Sequence, residues 1–405
     1  MKRLTTLWLA LLLLLSMAGA AFALNETPET GGPDEIPVAA LPAAAEEVLA
    51  GQVRAKACVL MDVNTGTLMA ASAEHERLYP ASVTKIMTLL LVCEALEQGK
   101  LTLNDVLTCS DTAAAKGGSQ IWLEPGEEMT VDDLLKAAVI GSANDACTLL
   151  GETLAGSEAA FAAMMNERAA SLGMEDTHFD NCTGLDDDTT THLTSAYDIA
   201  LMARELLGHE LIRRYSTVWM DSLREGRTQL VNTNKLVGYY PGCTGLKTGT
   251  TSKAGCCVAA SAQRDGMELV AVILGADSSS DRFAGARALL DWGFANFEIY
   301  TPENDLSLLA EVRVNHGLTR RFLPACEKGA PLLVPKGVGA QVTKRAEYAT
   351  ETDAPLAEGE RIGRIVFEAK GETVAENAVY CPEEIPAIDL LSAWKLLFYA
   401  FSREV

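Results

Sequence analysis

Hydrophobic residues between positions 57 and 297 recur with spacings that predict strands and helices in turn. Apolar runs at 57–61 and 67–71 flank the turn residues Asn64-Thr65-Gly66, which predicts two paired strands. Residues 82–97 carry apolar side chains at helical spacing. Similar periodicity predicts further helices at 130–140, 145–154, 158–171, 195–207 and 281–297.

A second pair of strands follows this block of helices. Apolar, β-branched residues at 256–263 and 268–275 are joined through Asp265-Gly266, a dipeptide typical of tight hairpins. Strands therefore lie on both sides of the helical block along the chain. We expect an α/β fold in which an antiparallel sheet is flanked by helices, and not a doubly wound parallel sheet.

The pattern changes again near residue 299. Short alternating segments at 310–314, 341–345 and 361–368 are separated by Gly and Pro turns. This pattern of short alternating segments predicts a small all-β domain over residues 299–383.

The two ends of the chain differ from the middle. A basic start, an aliphatic run and small residues at the exit predict a secretory signal peptide over residues 1–23, with an uncleaved membrane anchor as the alternative. Residues 24–48 predict a flexible acidic lead. Residues 384–405 predict an amphipathic helix, which either lies in a membrane interface or docks on the protein itself.

Charge and cysteine content narrow the function. The formal net charge is −22, so nucleic acid and anionic lipid headgroups would repel the chain, and we exclude nucleic-acid binding. The ten cysteines show no C-x-x-C spacing and no clustering with histidine. We interpret them as small buried hydrophobes, with disulfides as the alternative, and we expect no metal site and no cofactor.

Three short motifs point to nucleophilic chemistry. Ser82-Val83-Thr84-Lys85 opens the first predicted helix, Ser142-Ala143-Asn144 lies at a break between two helices, and Lys247-Thr248-Gly249 begins a predicted strand. Residues three apart share a face of a helix, so the Lys85 amine can reach the Ser82 hydroxyl. Lysine can act as a base when burial or a neighbouring cation depresses its pKa, and Lys247 is a candidate for that cation. The helix N-terminus would favour a developing oxyanion.

The order of the motifs gives them specificity. A second Ser-x-x-Lys, Ser392 to Lys395, belongs to the polar stripe of the predicted tail helix and has nothing downstream to complete a site. Ser82 and Lys85, by contrast, are followed by Ser-x-Asn and then Lys-Thr-Gly. That trio in that order is typical of penicillin-interacting serine enzymes.

With these motifs the chain resembles the low-molecular-mass penicillin-binding proteins, the serine-type D-Ala-D-Ala carboxypeptidases. The resemblance covers about residues 50 to 298, and the segments that carry it are 79–88, 142–146, 174–179 and 245–249. It implies a β-lactamase/transpeptidase-like peptidase domain over residues 49–298. The β-rich part and the amphipathic C-terminal helix also match the layout of that family. The resemblance therefore implies an exported enzyme that acts at the outer face of the cytoplasmic membrane. Its substrates would be stem peptides ending in D-Ala-D-Ala, and β-lactams would be covalent inhibitors.

The resemblance also implies roles for single residues. Ser82 would attack the penultimate D-Ala carbonyl, Lys85 would take the serine proton, and Ser142 would relay a proton to the departing amine. Asn144 would hydrogen-bond Lys85 and the substrate amide. The substrate-binding positions would be Lys247, Thr248, Gly249, Thr250 and Arg282, of which Thr248 and Arg282 would serve the terminal carboxylate. The backbone N–H groups of Ser82 and Thr250 would form the oxyanion hole.

Two departures and several alternatives remain at this point. Relatives often have Gly where this chain has Ala143, and many have His where it has Thr250, so deacylation or pH dependence can differ. A class A β-lactamase shares the trio, but the Glu-x-x-Leu-Asn segment of that class is missing after the second motif. An endopeptidase or transpeptidase of the same superfamily stays open. So does a non-catalytic wall-binding module.

The sequence does not support a Ser-His-Asp hydrolase, a zinc peptidase or a calcium site. The chain has no Gly-x-Ser-x-Gly and no His-Glu-x-x-His. The run Asp186-Asp187-Asp188 is interpreted as a solvated loop and not a calcium site, because no spaced ligand set follows it.

Overall fold

A computed structural model describes residues 49–395 of the chain. The first nine strands are β1 (Ala57–Asp62), β2 (Leu68–Ser72), β3 (Val106–Thr108), β4 (Glu128–Thr130), β5 (Met220–Leu223), β6 (Thr228–Val231), β7 (Cys243–Thr251), β8 (Gly255–Arg264) and β9 (Met267–Ala276). The helices among and after them are α1 (Lys85–Glu97), α2 (Asp111–Ala114), α3 (Val131–Val139), α4 (Asn144–Ala155), α5 (Glu158–Ser171), α6 (Ala196–Leu207), α7 (Glu210–Ser216) and α8 (Ser279–Asn296).

A five-stranded antiparallel sheet organises this part of the chain, with strand order β2-β1-β9-β8-β7. Helices cover both faces, because α1, α3, α4 and α6 belong to one apolar core while α8 belongs to another on the opposite face. Side chains alternate across a strand, so the adjacent Cys256 and Cys257 contribute to different cores. The predicted antiparallel α/β fold is confirmed.

Helix α1 lies at the centre of the larger core. The residues from Lys85 to Cys93 are all buried, although the apolar spacing alone predicted a stripe on one face. Helices on several sides and the sheet account for this, and a helix without a polar face is expected in such a position. A short 3-10 turn, Ala81–Thr84, leads directly into α1.

The hairpin turn follows prediction, and helix α3 begins with a side-chain cap. Asp265 and Gly266 join β8 to β9 with positive φ angles of 48° and 81°, as a tight hairpin requires. The Thr130 hydroxyl caps α3 by accepting from the Asp133 N–H at 3.2 Å. The Asp133 carboxylate in turn accepts from Lys136.

The β-rich part begins at the end of α8. Its strands are β10 (Phe297–Tyr300), β11 (Val312–Asn315), β12 (Arg321–Phe322), β13 (Ala325–Cys326), β14 (Leu332–Pro335), β15 (Thr343–Tyr348), β16 (Glu351–Asp353), β17 (Arg361–Ala369) and β18 (Glu372–Tyr380). They form small sheets around two apolar cores. The structured region extends past the predicted limit of 383, because Ile385 is fully buried and bridges to Leu356, and Ala387 bridges to Gly317.

The predicted tail helix is described only in part. Residues 390–395 are helical, and the side chains of Leu390, Leu391 and Trp394 are 81%, 65% and 67% exposed. Within residues 49–395 no helix is both long and apolar enough to span a bilayer. The predicted signal peptide, the acidic lead and the end of the tail lie outside the described residues.

All ten cysteines fall within the described residues, and all ten are free thiols in the structure. Seven are buried and three are partly exposed, in line with the interpretation of most of them as small hydrophobes.

Candidate active site

The Ser82 hydroxyl and the Lys85 amine meet where the 3-10 turn becomes α1. Lys85 Nζ lies 3.0 Å from Ser82 Oγ and donates to the Thr183 carbonyl oxygen at 2.7 Å. Lys85 is fully buried, whereas Ser82 is partly exposed and can be reached from solvent. The turn is held in an unusual backbone conformation, with φ of 48° at Ala81. A hydroxyl that solvent can reach is thus placed beside a fully buried amine.

Burial shifts the pKa of both lysines of the motifs downward. The pKa of Lys85 is lowered because burial removes its ammonium from water, although Cys147, Cys182 and Asp145 act in the opposite direction. The pKa of Lys247 falls well below its ordinary value, first through burial and second through the charge of Lys85. Of the two causes that the sequence interpretation named for Lys85, burial and a neighbouring cation, burial is the larger.

The second motif lies between α3 and α4. Ser142 has a positive φ of 60° and is almost fully buried. Asn144 is also buried. Its Nδ2 donates to Gly117 O at 2.7 Å, and its backbone N–H donates to Ser119 O at 2.7 Å.

The predicted hydrogen bond between Asn144 and Lys85 is not formed among residues 49–395. The Lys85 amine is directed to Ser82 and Thr183 instead, and the Asn144 amide nitrogen is directed to Gly117. The Asn144 Oδ1 atom is buried and has no partner within those residues. Such an acceptor is unusual, because most buried polar atoms have a hydrogen-bond partner.

The third motif lies within β7 and does not begin it, which corrects the predicted position. Lys247 Nζ donates to Thr248 O at 3.1 Å, and Thr248 Oγ1 donates to Thr233 Oγ1 at 2.8 Å. Thr250 Oγ1 donates to Gly249 O at 2.7 Å. The motif is on an edge strand of the sheet and contacts the 3-10 turn Ala81–Thr84, which we call the nucleophile turn.

Gly249 permits the closest approach between β7 and that turn. A Cβ at position 249 would lie 2.8 Å from Pro80 O, 2.8 Å from the Ser82 nitrogen and 2.9 Å from the Ala81 Cβ. No side chain fits there without movement of backbone. The sequence interpretation expected this glycine to admit substrate, whereas its contacts here are with the segment that carries the nucleophile. This proximity also brings the Ser82 N–H close to the strand that bears Thr250.

Arg282 reaches β7 from α8. Its Nη1 atom donates to Gly249 O at 3.0 Å and to Thr250 Oγ1 at 2.9 Å, and its guanidinium stacks over Phe283 at 4.8 Å. The side chain is buried, so its charge acts next to the third motif and away from bulk water. Arg282 can stabilise an anion there mainly through the Gly249 carbonyl and the Thr250 hydroxyl, which it holds in place.

Several residues of the site were not singled out from the sequence. Asp145 accepts hydrogen bonds from the Ile121 and Leu123 N–H groups, which ties α4 to the irregular segment that contacts Asn144. Asn181 Oδ1 accepts from the Thr183 and Gly184 N–H groups, and this fixes the loop whose carbonyl receives Lys85. Asp145 could have been found from its place in the second motif, but no pattern marks Asn181.

The acidic run at 186–188 is a loop next to the site. Asp186 accepts from the Thr251 hydroxyl at 2.5 Å, while Asp187 and Asp188 are exposed. In the part of the chain that the structure describes, no cluster of three His, Cys, Asp or Glu side chains is arranged to hold a metal.

Comparison with known proteins places this geometry in a family. Residues 43–278 match the family described as D-alanyl-D-alanine carboxypeptidase, and residues 297–387 match the C-terminal domain of penicillin-binding protein 5. The chain is 38% identical over 389 residues to D-alanyl-D-alanine carboxypeptidase DacF of Bacillus subtilis, covering 95% of each chain.

Solved structures agree with the sequence matches. Penicillin-binding protein 5 from Haemophilus influenzae is similar with a TM-score of 0.71 and 30% identity, covering 83% of this chain and 98% of that one. Penicillin-binding protein D2 from Listeria monocytogenes, solved in its ampicillin-bound form, has a TM-score of 0.55 and 29% identity, and covers 60% of this chain and 98% of that one.

We expect Gly249→Ala to slow acylation of Ser82 by a β-lactam by about 100-fold, because the added methyl group must push β7 away from the nucleophile turn and reacting groups tolerate little misplacement. The rate is followed by intact mass. Gly51→Ala is the control, since no atom lies within 4 Å of its added Cβ. An unchanged acylation rate in Gly249→Ala would contradict the assigned role of this contact.

Proposed function

The chain belongs to the D-alanyl-D-alanine carboxypeptidase family, a family of serine peptidases, and we propose that Ser82 is the nucleophile with which it removes the terminal D-alanine from peptidoglycan stem peptides. The observation that carries this assignment is the 3.0 Å contact between the Ser82 hydroxyl and the buried Lys85 amine. A serine needs a base to become a useful nucleophile, and a lysine with a lowered pKa supplies one.

Acylation follows from the positions of these groups. The neutral Lys85 amine takes the hydroxyl proton while Ser82 Oγ forms a bond to the carbonyl carbon of the penultimate D-Ala. The oxyanion that develops accepts hydrogen bonds from the Ser82 and Thr250 N–H groups, at the start of the helical segment. The closeness of Gly249 to the Ser82 nitrogen supports this pairing of donors.

Collapse of the intermediate breaks the C–N bond. The leaving amine of D-alanine takes a proton that Ser142 relays from Lys85, and the shortened peptide stays on Ser82 as an ester. Water then adds to that ester with Lys85 as the base, the bond to Ser82 Oγ breaks, and the serine recovers its proton. The orphan Oδ1 of Asn144 accepts from an amide N–H of the substrate throughout.

Recognition of the terminal carboxylate uses the third motif. Thr248 lies on β7 beside Lys247, and its hydroxyl is the group on this strand that we assign to the carboxylate. Arg282 assists through its hydrogen bonds to Gly249 and Thr250. β-lactams present a carboxylate and a strained amide to the same groups, which is consistent with the ampicillin-bound relative.

The site of action is the cell-wall space. The predicted signal peptide over residues 1–23 supports export. The exposed apolar residues at 390, 391 and 394 support contact of the tail helix with the outer face of the cytoplasmic membrane.

Ser82→Ala is expected to lower turnover of a D-Ala-D-Ala peptide by about a million-fold, because the nucleophile is lost while binding groups remain. The same variant should form no mass adduct with benzylpenicillin. Ser392→Ala, in the second Ser-x-x-Lys of the chain, serves as the matched control and should keep both properties. Full peptidase activity in purified Ser82→Ala would refute the assignment.

The pH dependence of acylation should report the lowered pKa of Lys85. The amine acts as a base only when it is unprotonated, so the rate rises with pH through that pKa and levels off below the ordinary lysine value of 10.5. Lys85→Arg should abolish acylation, since a guanidinium keeps its proton. A rate in the wild type that continues to rise up to that ordinary value would contradict a buried, neutral base.

Deletion of residues 390–405 should release the protein from membranes and leave soluble activity unchanged. The cut spares Ile385 and Ala387, which belong to the β-rich part. Sedimentation with phospholipid vesicles measures the effect. Equal sedimentation of the full and shortened chains would show that the tail helix does not anchor the protein.

A further inference from the structure

We infer that His192 is a positioning residue for acylation: its imidazole links the turn that carries Ser82 to the loop that holds Lys85. The inference rests on the function proposed above. It concerns a fully buried histidine that belongs to none of the three motifs and that the proposed reaction does not use.

The hydrogen bonds of the imidazole define its protonation. The backbone N–H of Asp180 donates to His192 Nδ1 at 3.0 Å, so Nδ1 must be unprotonated. The proton of a neutral imidazole then lies on Nε2, which is 2.8 Å from Thr84 Oγ1 and donates to it. His192 therefore connects a loop backbone on one side with a side chain on the other.

Both ends of this link are parts of the active site. Thr84 directly precedes Lys85 in the Ser82–Lys85 motif, on the opposite side of the turn from solvent. Asp180 begins the loop in which Asn181 orients Thr183, and the Thr183 carbonyl accepts from Lys85 at 2.7 Å. The imidazole thus spans the same two segments as the hydrogen bond from Lys85.

The two segments lie directly against each other. A Cβ at Gly184 would lie 1.8 Å from the Ala81 carbonyl oxygen and 2.7 Å from Thr84 Oγ1. A small displacement of the loop would therefore change the position of the Lys85 acceptor and of the turn together. His192 is placed to resist that displacement with one hydrogen bond to each segment.

The surroundings favour the neutral imidazole. Burial lowers the pKa of His192 to about 4, with Asp180 and Asp186 acting to raise it and His178 and Lys85 acting to lower it. A proton on Nδ1 would face the Asp180 N–H, a donor against a donor. Above about pH 5 the link is intact, so it operates under the conditions in which the amine of Lys85 can act.

The test separates positioning from folding and from binding. Thr84→Val removes the acceptor with little change in shape, and Thr84→Ser restores it. His192→Leu removes both bonds of the imidazole, and His192→Gln keeps a donor and an acceptor. His178→Leu is a matched control on the same loop, because His178 contacts Asp180 but is half exposed and outside the link. Acylation by benzylpenicillin is measured at several concentrations, so that the rate constant and the dissociation constant are obtained separately.

We expect Thr84→Val and His192→Leu each to lower the acylation rate constant by about tenfold or more with the dissociation constant within about twofold of wild type. Thr84→Ser and His192→Gln should recover most of the rate. The double variant Thr84→Val/His192→Leu should be no slower than His192→Leu alone, because both changes break one link.

Other results would overturn the inference. Wild-type rates in Thr84→Val and His192→Leu, additive losses in the double variant, a loss confined to the dissociation constant, or an equal loss in His178→Leu would each do so. A wild-type protein that forms no adduct on Ser82 would instead remove the proposed function and this inference with it.

Discussion

Direct contact among three backbone segments is the constraint on which this site depends. The nucleophile turn at Ala81 and Ser82 has β7 at Gly249 on one side and the loop at Gly184 on another, and neither glycine could carry a side chain without displacing backbone. This packing explains why the amine of Lys85 has no contact with water. It also makes the geometry stiff, since a shift of any one segment moves the other two.

Burial favours the neutral form of the Lys85 amine, the group proposed as the base. A buried ammonium loses hydration, so both Lys85 and Lys247 have pKa values below the ordinary one and the neutral form gains. Two full positive charges in so small a volume would be costly, and neutralising one of them relieves the other. Asp145 partly opposes the lowering of the Lys85 pKa, because its carboxylate is near Lys85 and is held by the N–H groups of Ile121 and Leu123. The pKa of the base is therefore set by the core of the protein as much as by its motif.

Residues that act through side chains at short sequence spacing could be predicted. The helix at 82–97, the hairpin at Asp265-Gly266 and the juxtaposition of Ser82 and Lys85 follow from local periodicity and turn chemistry. Partners that act through backbone groups could not be predicted. The Thr183 carbonyl that receives Lys85 and the Gly117 carbonyl that receives Asn144 carry no signal in the sequence, because any residue has a carbonyl.

The hydroxyl groups of Thr248 and Thr250 already donate hydrogen bonds within the protein. The arrangement of these bonds explains how the third motif can still receive a carboxylate. A carboxylate only accepts, so a hydroxyl must give up its present acceptor to bind it. Thr248 donates to the Thr233 hydroxyl. If Thr248 turns its proton toward a carboxylate, the Thr233 hydroxyl can donate to Thr248 Oγ1, so the hydrogen bond between the two threonines is kept. Thr250 donates to Gly249 O, and that oxygen keeps Arg282 as a donor at 3.0 Å if the threonine hydroxyl turns away. Arg282 also remains bonded to Thr250 Oγ1 during the turn. In the proposed reaction Arg282 would therefore serve the carboxylate indirectly, because it keeps the Gly249 oxygen paired when the substrate binds.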